Sequence, residues 1–339
     1  MQKISEHFLG KSYAICARLL PLSKTIHRFN SKPTELHLEF TNTCNCSCIF
    51  CGYQYQKRKK IIMSEEILIK AISDFSNIGG GDVIVTPIVG EALVDPDFIK
   101  KIKMIRAYAS IKKILLTTNA TLIHHYGIDD ILTTGLTDIY ISTAGFDKET
   151  YTKLYRAPYY DLMRDNTIAL LSRNEELGKP VNITILIRAG RSLSEVLGTV
   201  DAQRVLRFKP KIDFAYYFHD FGGRIKKEDL WPGAKIRDPG KKKEPCFSLY
   251  NGPVVLPDGE VWMCDCAAAM DSGTNLFIGD IKKETLMNIW QGKLRRNLIA
   301  QFYKQGKLNP TCFKCTAYQN LDRYRHFNPY LKSGWNFFK

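Results

Sequence analysis

From residue 35 onward, short apolar or alternating runs give way to loops and then to stretches with helical spacing, and the sequence of events repeats. ELHLEF (35–40), DVIVTPIV (82–89), KILLTT (113–118), DIYIST (138–143), VNITILI (181–187) and IDFAYYF (212–218) are the predicted strands. Between them, SEEILIKAISDFSNIG (64–79) opens on a serine and two acids, keeps apolar residues at helical intervals and closes on glycine, which predicts a capped helix. DFIKKIKMIRAYAS, the segment around HHYGIDDILTTG, KETYTKLYR and LMRDNTIALLSRNEELGK follow the same pattern. Six strand–helix units predict an α/β fold, a partial (β/α)6 version of the TIM-like parallel barrel. In such folds the chemistry sits at the C-terminal ends of the strands.

The pattern then changes. Residues from about 220 to 245 are rich in Gly, Pro and charge, as a linker is. Beyond it PVVLPDGEVWMC (253–264) predicts a β-hairpin turning at Asp258-Gly259, and LMNIWQGKLRRNLIAQFYKQGK (286–307) predicts a helix. The expected organisation is therefore a basic helical extension over 1–34, the barrel over 35–225, a linker over 226–245 and a small α+β domain over 246–339. The extension mixes Leu, Phe and Ile with Lys11, Arg18, Lys24 and Arg28. An amphipathic helix on an anionic membrane surface would read so, but Pro21 interrupts it, which favours a helix packed across the barrel's end or edge.

Length and composition narrow the class. The 339 residues, 45% of them apolar, suffice for real hydrophobic cores. No apolar run is long enough to cross a bilayer. The N-terminus lacks the basic, apolar and small-residue order of a secretory leader, so the ten cysteines are expected to be reduced thiols in a cytoplasmic protein, with peripheral membrane contact left open. A net charge of +15 suits nucleic acid, an anionic membrane or phosphorylated substrates equally. The runs KRKK (57–60) and KKK (241–243) read as solvated loops, and without interleaved stacking aromatics they do not make a nucleic-acid site.

The cysteines carry the chemistry. TNTCNCSCIFCGY (41–53) places Cys44, Cys46, Cys48 and Cys51 just after the first predicted strand, where clustered thiols in a loop point to metal rather than packing. Zinc sites combine two separated pairs of ligands, whereas iron–sulfur clusters draw several thiolates from one short loop. A second set, Cys246, Cys264, Cys266, Cys312 and Cys315, follows the linker, and a zinc ribbon or a second cluster both answer to it. Cys16 reads as a packed thiol.

Cys44-x-x-x-Cys48-x-x-Cys51, with aromatic Phe50 before the last cysteine, resembles the signature of the radical S-adenosylmethionine (SAM) superfamily. That resemblance implies a [4Fe–4S] cluster held by the three thiolates, with SAM chelating the fourth iron, and leaves Cys46 as the spare. IVGEALVDPDF is similar to the family's Gly-Gly-Glu-Pro motif, with Gly90 and Glu91 matching and Val89 and Ala92 departing from it. LLTTNATL and IYISTAGFDKETYTKLYR resemble the third- and fourth-strand motifs. The likeness places Asn119 and Ser142 against SAM and Arg156 against its carboxylate, a task suited to a planar guanidinium. The second set resembles the auxiliary-cluster domain called twitch, a shortened relative of SPASM. Cys246, Cys264, Cys312 and Cys315 would then ligate a second [4Fe–4S] cluster, two in all, and Cys266 would stand near substrate as a candidate hydrogen-atom donor.

The resemblance implies reductive cleavage of SAM to a 5'-deoxyadenosyl radical that abstracts hydrogen from substrate. Oxidation or epimerisation of a carbohydrate, cyclitol or similar polar metabolite is the expected outcome, with a nucleotide- or lipid-linked sugar open. The electron would come from an external one-electron donor such as flavodoxin or ferredoxin. The rival is a peptide-modifying maturase; a non-catalytic iron–sulfur or zinc nucleic-acid-binding protein would explain the charge but not the SAM-type motifs.

Overall fold

The computed structural model describes residues 31–321 except 87, 190, 243–244, 265–275 and 306–307. Six parallel strands follow the sequence expectation closely: β1 Glu35–Leu38, β2 Gly81–Val85, β3 Ile111–Thr118, β4 Asp138–Thr143, β5 Asn182–Ile187 and β6 Lys211–Phe214. Each pairs in parallel with the next. The helices between them are α1 Glu65–Asn77, α2 Phe98–Arg106, α3 Ile128–Thr133, α4 Lys148–Tyr155 and α5 Tyr160–Glu176, with α6 Leu193–Leu197 and α7 Val200–Leu206 filling the last crossover. Parallel neighbours need such crossovers, because the chain must return to the same end of the sheet.

Strand alternation sorts the side chains between two layers. On β2 Val83 and Val85 are fully buried outward, and on β4 Ile139 and Ile141 are fully buried likewise. The intervening Ile84, Leu115, Tyr140 and Ser142 instead line an interior cavity. α1 shows why its helix forms where it does. The Ser64 hydroxyl accepts the Ile67 N–H at 3.3 Å, Glu65 and Glu66 occupy the positive end of the helix dipole, and Leu68, Ala71, Ile72 and Phe75 make the buried stripe.

Two predicted strands depart most from the expected bounds. DVIVTPIV ends at Val85, because Thr86 adopts a φ of 67° that no strand continues. IDFAYYF breaks after Phe214, and β7 Tyr217–Phe218 pairs with β8 Lys235–Ile236 in a separate two-stranded sheet. The charge-rich segment that includes β8 also buries Leu230 and Trp231.

The later part of the chain extends the same sheet. After helix α8 (Ser248–Asn251) come β9 Val254–Val255, β10 Glu260–Trp262 and β11 Phe277–Asp280. β9 and β10 form the expected hairpin, with Gly259 at φ +90° in the turn, and β11 adds antiparallel to β10. β9 also pairs with β1 in parallel. The result is a nine-stranded sheet ordered β11-β10-β9-β1-β2-β3-β4-β5-β6. The stretch from 286 to 307 forms two helices rather than one, α9 Leu286–Trp290 and α10 Lys293–Gln305, parting at Gly292 where helix propensity is weakest. Arg295 then stacks its guanidinium 3.6 Å from the Trp290 ring. A short α11 (Pro310–Lys314) follows. Among the described residues no helix is long and apolar enough to cross a membrane.

Candidate functional site

A cavity of about 310 Å³ opens at the C-terminal ends of the parallel strands. Cys44, Cys46, Cys48 and Cys51 line it together with Phe50, Gly90, Glu91, Asn119 and Ser142, so the fold brings these sequence-selected positions to one wall. Phe247 and Gln319, neighbours of Cys246 in the second cysteine set, line it as well.

The cysteine loop is held at both ends. The Ser47 and Ile49 N–H groups donate to the Tyr155 and Leu154 carbonyls at the end of α4, at 3.2 and 2.9 Å. The Glu91 N–H donates to the Thr43 carbonyl at 2.8 Å. Gly90 makes this approach feasible. Its φ is +94°, and a Cβ there would stand 2.2 Å from the Thr41 carbonyl oxygen. Beyond the cysteines the chain is clasped by a buried ion pair, in which Arg58 donates Nη1 and Nη2 to the Glu39 carboxylate at 2.6 and 2.9 Å. The KRKK run is therefore solvated only in part: Lys57, Lys59 and Lys60 are exposed, while Arg58 is an internal brace.

Glu91 is 2% exposed and accepts hydrogen bonds from the Leu93 and Asn119 N–H groups and the Thr118 hydroxyl. Burial pushes its carboxyl up to about 7 against the pull of those donors. Asn119 donates its amide to Asn45 at 2.8 Å and to Cys46 Sγ at 3.5 Å, tying the third-strand motif to the cysteine loop. The Ser142 hydroxyl lies 2.9 Å from the Tyr155 hydroxyl. Phe50 packs edge-on to Tyr155 and Trp231, with centroids 5.3 and 6.2 Å away.

Arg156 is not brought to this wall. It caps α4 at φ 48°, stands exposed and donates to Gln54 Oε1 at 3.2 Å. Among the described residues, the guanidinium that does line the cavity is that of Arg188, just past the end of β5. Its Nε donates to the Ser142 hydroxyl at 3.3 Å and its guanidinium sits 5.3 Å from the Phe50 ring centroid. Sequence reading passed over Arg188, although its place immediately after the fifth predicted strand was the available signal. Cys266 and Cys16 fall outside the described residues, as does the extension up to residue 30.

The donor chemistry fits thiolate-bound iron. Cys44 Sγ accepts the Cys46 N–H and Cys51 Sγ accepts the Tyr53 N–H, both at 3.4 Å. Burial raises the Cys48 thiol well above its ordinary range, and the charges of Cys51, Cys46 and Cys44 raise it further. Thiols that oppose one another's ionisation in a buried wall become favourable thiolates once a cation lies between them. The second set has the same character. Burial, then Cys264 and Cys315, pushes Cys246 up to about 12, while burial followed by Cys264, Cys246 and Cys315 raises Cys312. Cys246 Sγ accepts the Gln319 N–H at 3.4 Å. Among the described residues no three His, Cys, Asp or Glu side chains converge tightly enough to hold one metal ion. A four-iron cluster instead takes its thiolates at separate corners.

Comparison with known proteins agrees with this chemistry. Residues 38–202 match the radical SAM superfamily, and residues 246–316 match SPASM, an iron–sulfur cluster-binding domain. Domains of these two kinds imply SAM and [4Fe–4S] clusters. A GTP 3',8-cyclase of Rhodopirellula baltica is 26% identical over 179 residues, covering 52% of this chain and 48% of that protein. The chain thus spans about half the length of that curated relative. Among solved structures, BtrN in complex with AdoMet and 2-DOIA aligns at a TM-score of 0.56 and 14% identity, over 84% of this chain and 93% of that one. Streptococcus suis SuiB bound to precursor peptide SuiA aligns at 0.63 and 13%, over 86% and 72%. At such identities the likeness speaks for the fold.

Proposed function

Because the chain belongs to the radical SAM superfamily and carries a SPASM-type iron–sulfur domain, we propose that it abstracts a hydrogen atom from a carbohydrate, cyclitol or similar polar metabolite and so oxidises or epimerises it. The observation that carries this reading is the shared cavity, lined both by the three-cysteine loop and by Phe247 and Gln319 beside the second cysteine set. SAM bound to a reduced [4Fe–4S] cluster supplies the 5'-deoxyadenosyl radical for such a reaction.

The protein's own residues then have separable tasks. Cys44, Cys48 and Cys51 hold the first cluster; Cys246, Cys264, Cys312 and Cys315 hold the second. Glu91 accepts the SAM ammonium as the carboxylate, a form that burial disfavours until such a cation stands beside it. Asn119 fixes the register between the third strand and the cysteine loop. Arg188, held by Ser142, offers its fork to the SAM carboxylate in the place first expected of Arg156. The packed aromatics around Phe50 keep water from the radical's path.

One relative supports a different substrate. The GTP 3',8-cyclase similarity favours a purine nucleotide, whereas the SuiB likeness, at 13% identity, bears on the fold alone. Substrate identity is decided by product analysis, but the shared chemistry is tested first by iron. Anaerobic reconstitution should load about eight irons per chain, and replacing Cys44, Cys48 and Cys51 with Ala should leave about four and abolish SAM cleavage. Zinc in place of iron, or cleavage surviving the triple replacement, would sink the reading.

A further inference from the structure

Within the second cysteine set, Cys246 adjoins the cavity and Cys312 and Cys315 flank an exposed apolar knob. On the inner side, Phe247 follows Cys246 in the chain, Gln319 bonds to its sulfur, and both residues line the cavity. On the outer side, α11 presents Phe313 and Lys314 to solvent between Cys312 and Cys315. Phe313 is 70% exposed, the most exposed aromatic ring among the described residues. Lys242 reaches across from the KKK run and donates to the Cys312 and Phe313 carbonyls at 2.8 and 2.5 Å. The Lys241 carbonyl accepts the Asn320 amide at 2.9 Å, which sets exposed Lys241 on the same rim. Lys242 is thus folded onto the cysteine loop instead of standing free in solvent.

An apolar centre with an ammonium rim is the pattern of a small, transient interface: the ring gains by leaving water, and the charges steer a partner of opposite sign. Redox encounters use interfaces of this modest kind, below about 1,200 Å². We propose that the Phe313–Lys314 face docks an acidic one-electron carrier protein, which exchanges an electron with the auxiliary centre directly beneath. In the exchange one electron leaves the reduced centre and enters the carrier's oxidised cofactor, with one solvent proton where that cofactor is a flavin. The proposal rests on the two-centre reading given above.

The competing face is also basic. Lys57, Lys59 and Lys60 are exposed beside the three-cysteine loop, near Ile62 at 44% exposure. The two can be told apart with reconstituted protein and a purified acidic flavodoxin, by calorimetric affinity at low and high salt. Phe313→Ala combined with Lys314→Glu should weaken binding about tenfold or more, a loss of at least 1.4 kcal/mol. Lys59→Glu combined with Lys60→Glu should leave it within about twofold, and salt should weaken wild-type binding. The iron content and dithionite-driven SAM cleavage of the Phe313/Lys314 variant should match wild type. Should that variant lose iron, Lys241→Glu, outside the cysteine loop, must show the weakened affinity in its place. Unchanged affinity at full iron content, or loss through Lys59 and Lys60 instead, overturns the docking site. Wild-type protein that binds flavodoxin but carries only about four irons would overturn the two-centre reading on which it depends.

Discussion

Glu39 shows what one residue can be made to bear. Its side chain is fully buried at the end of β1, and Arg58 reaches back from beyond the cysteine loop to grip both carboxylate oxygens. Burial nevertheless outweighs the guanidinium and holds the carboxyl above its ordinary range. Arg58→Met would strand a charge in the interior and should cost about 3–5 kcal/mol at pH 8. The pH dependence follows from the sign of the shift. A raised folded-state value means the protonated form suits the fold, so stability is full below the unfolded value near 4.3 and is lost as pH rises through the folded one. The deficit of Arg58→Met in urea titrations of the apo-protein should therefore shrink toward pH 5, and Glu39→Gln added to it should recover most of the loss at pH 8. A deficit independent of pH would deny Glu39 this role.

Among the elements, the turn after β2 is the most exacting. Thr86 at φ 67° ends the strand, and Gly90 at φ +94° brings Glu91 under Thr43 and the cysteine loop. Gly90→Ala adds a Cβ 2.2 Å from the Thr41 carbonyl, so the loop has to move away from the strand end. Its expected signature is reconstitution to about four irons with the auxiliary centre intact, read by iron analysis and EPR. How much of this was legible in advance depends on range. β1 to β5 follow short apolar or alternating runs, and α1 follows its Ser64 cap, because local sequence decides both. Gly90 and Glu91 could be picked out by likeness to a motif, although only the fold shows that Gly90 answers to Thr41. That Arg188 lines the cavity and Arg156 does not could not be read in advance, because an arginine's direction is set by tertiary packing that no local pattern records. The break at Gly292 was written in the sequence as a helix-poor residue and was outweighed by the apolar spacing around it.

At the scale of the whole molecule, the two cysteine regions share one sheet and one cavity. β9 pairs with β1, Asn251 donates to the Glu35 carboxylate at 3.1 Å, and Gly252 lies so close that a Cβ would stand 2.1 Å from the Glu35 carbonyl oxygen. A chain cut after residue 245 would therefore expose the edge of β1, strip a buried carboxylate of one partner and unroof the cavity. Such a truncation should aggregate, or elute larger than a monomer in size-exclusion chromatography, where a freely separable domain would elute as a monomer. The same pairing also sets a clock. Glu35 and Asn251 lie 216 positions apart in the chain. At a ribosomal pace of about 5–20 residues per second, the first strand waits roughly 10–45 seconds for its neighbour to be made. For most of that interval the thiols of the first loop have been made while the wall that will face them has yet to be translated, so they stand open to solvent until it arrives.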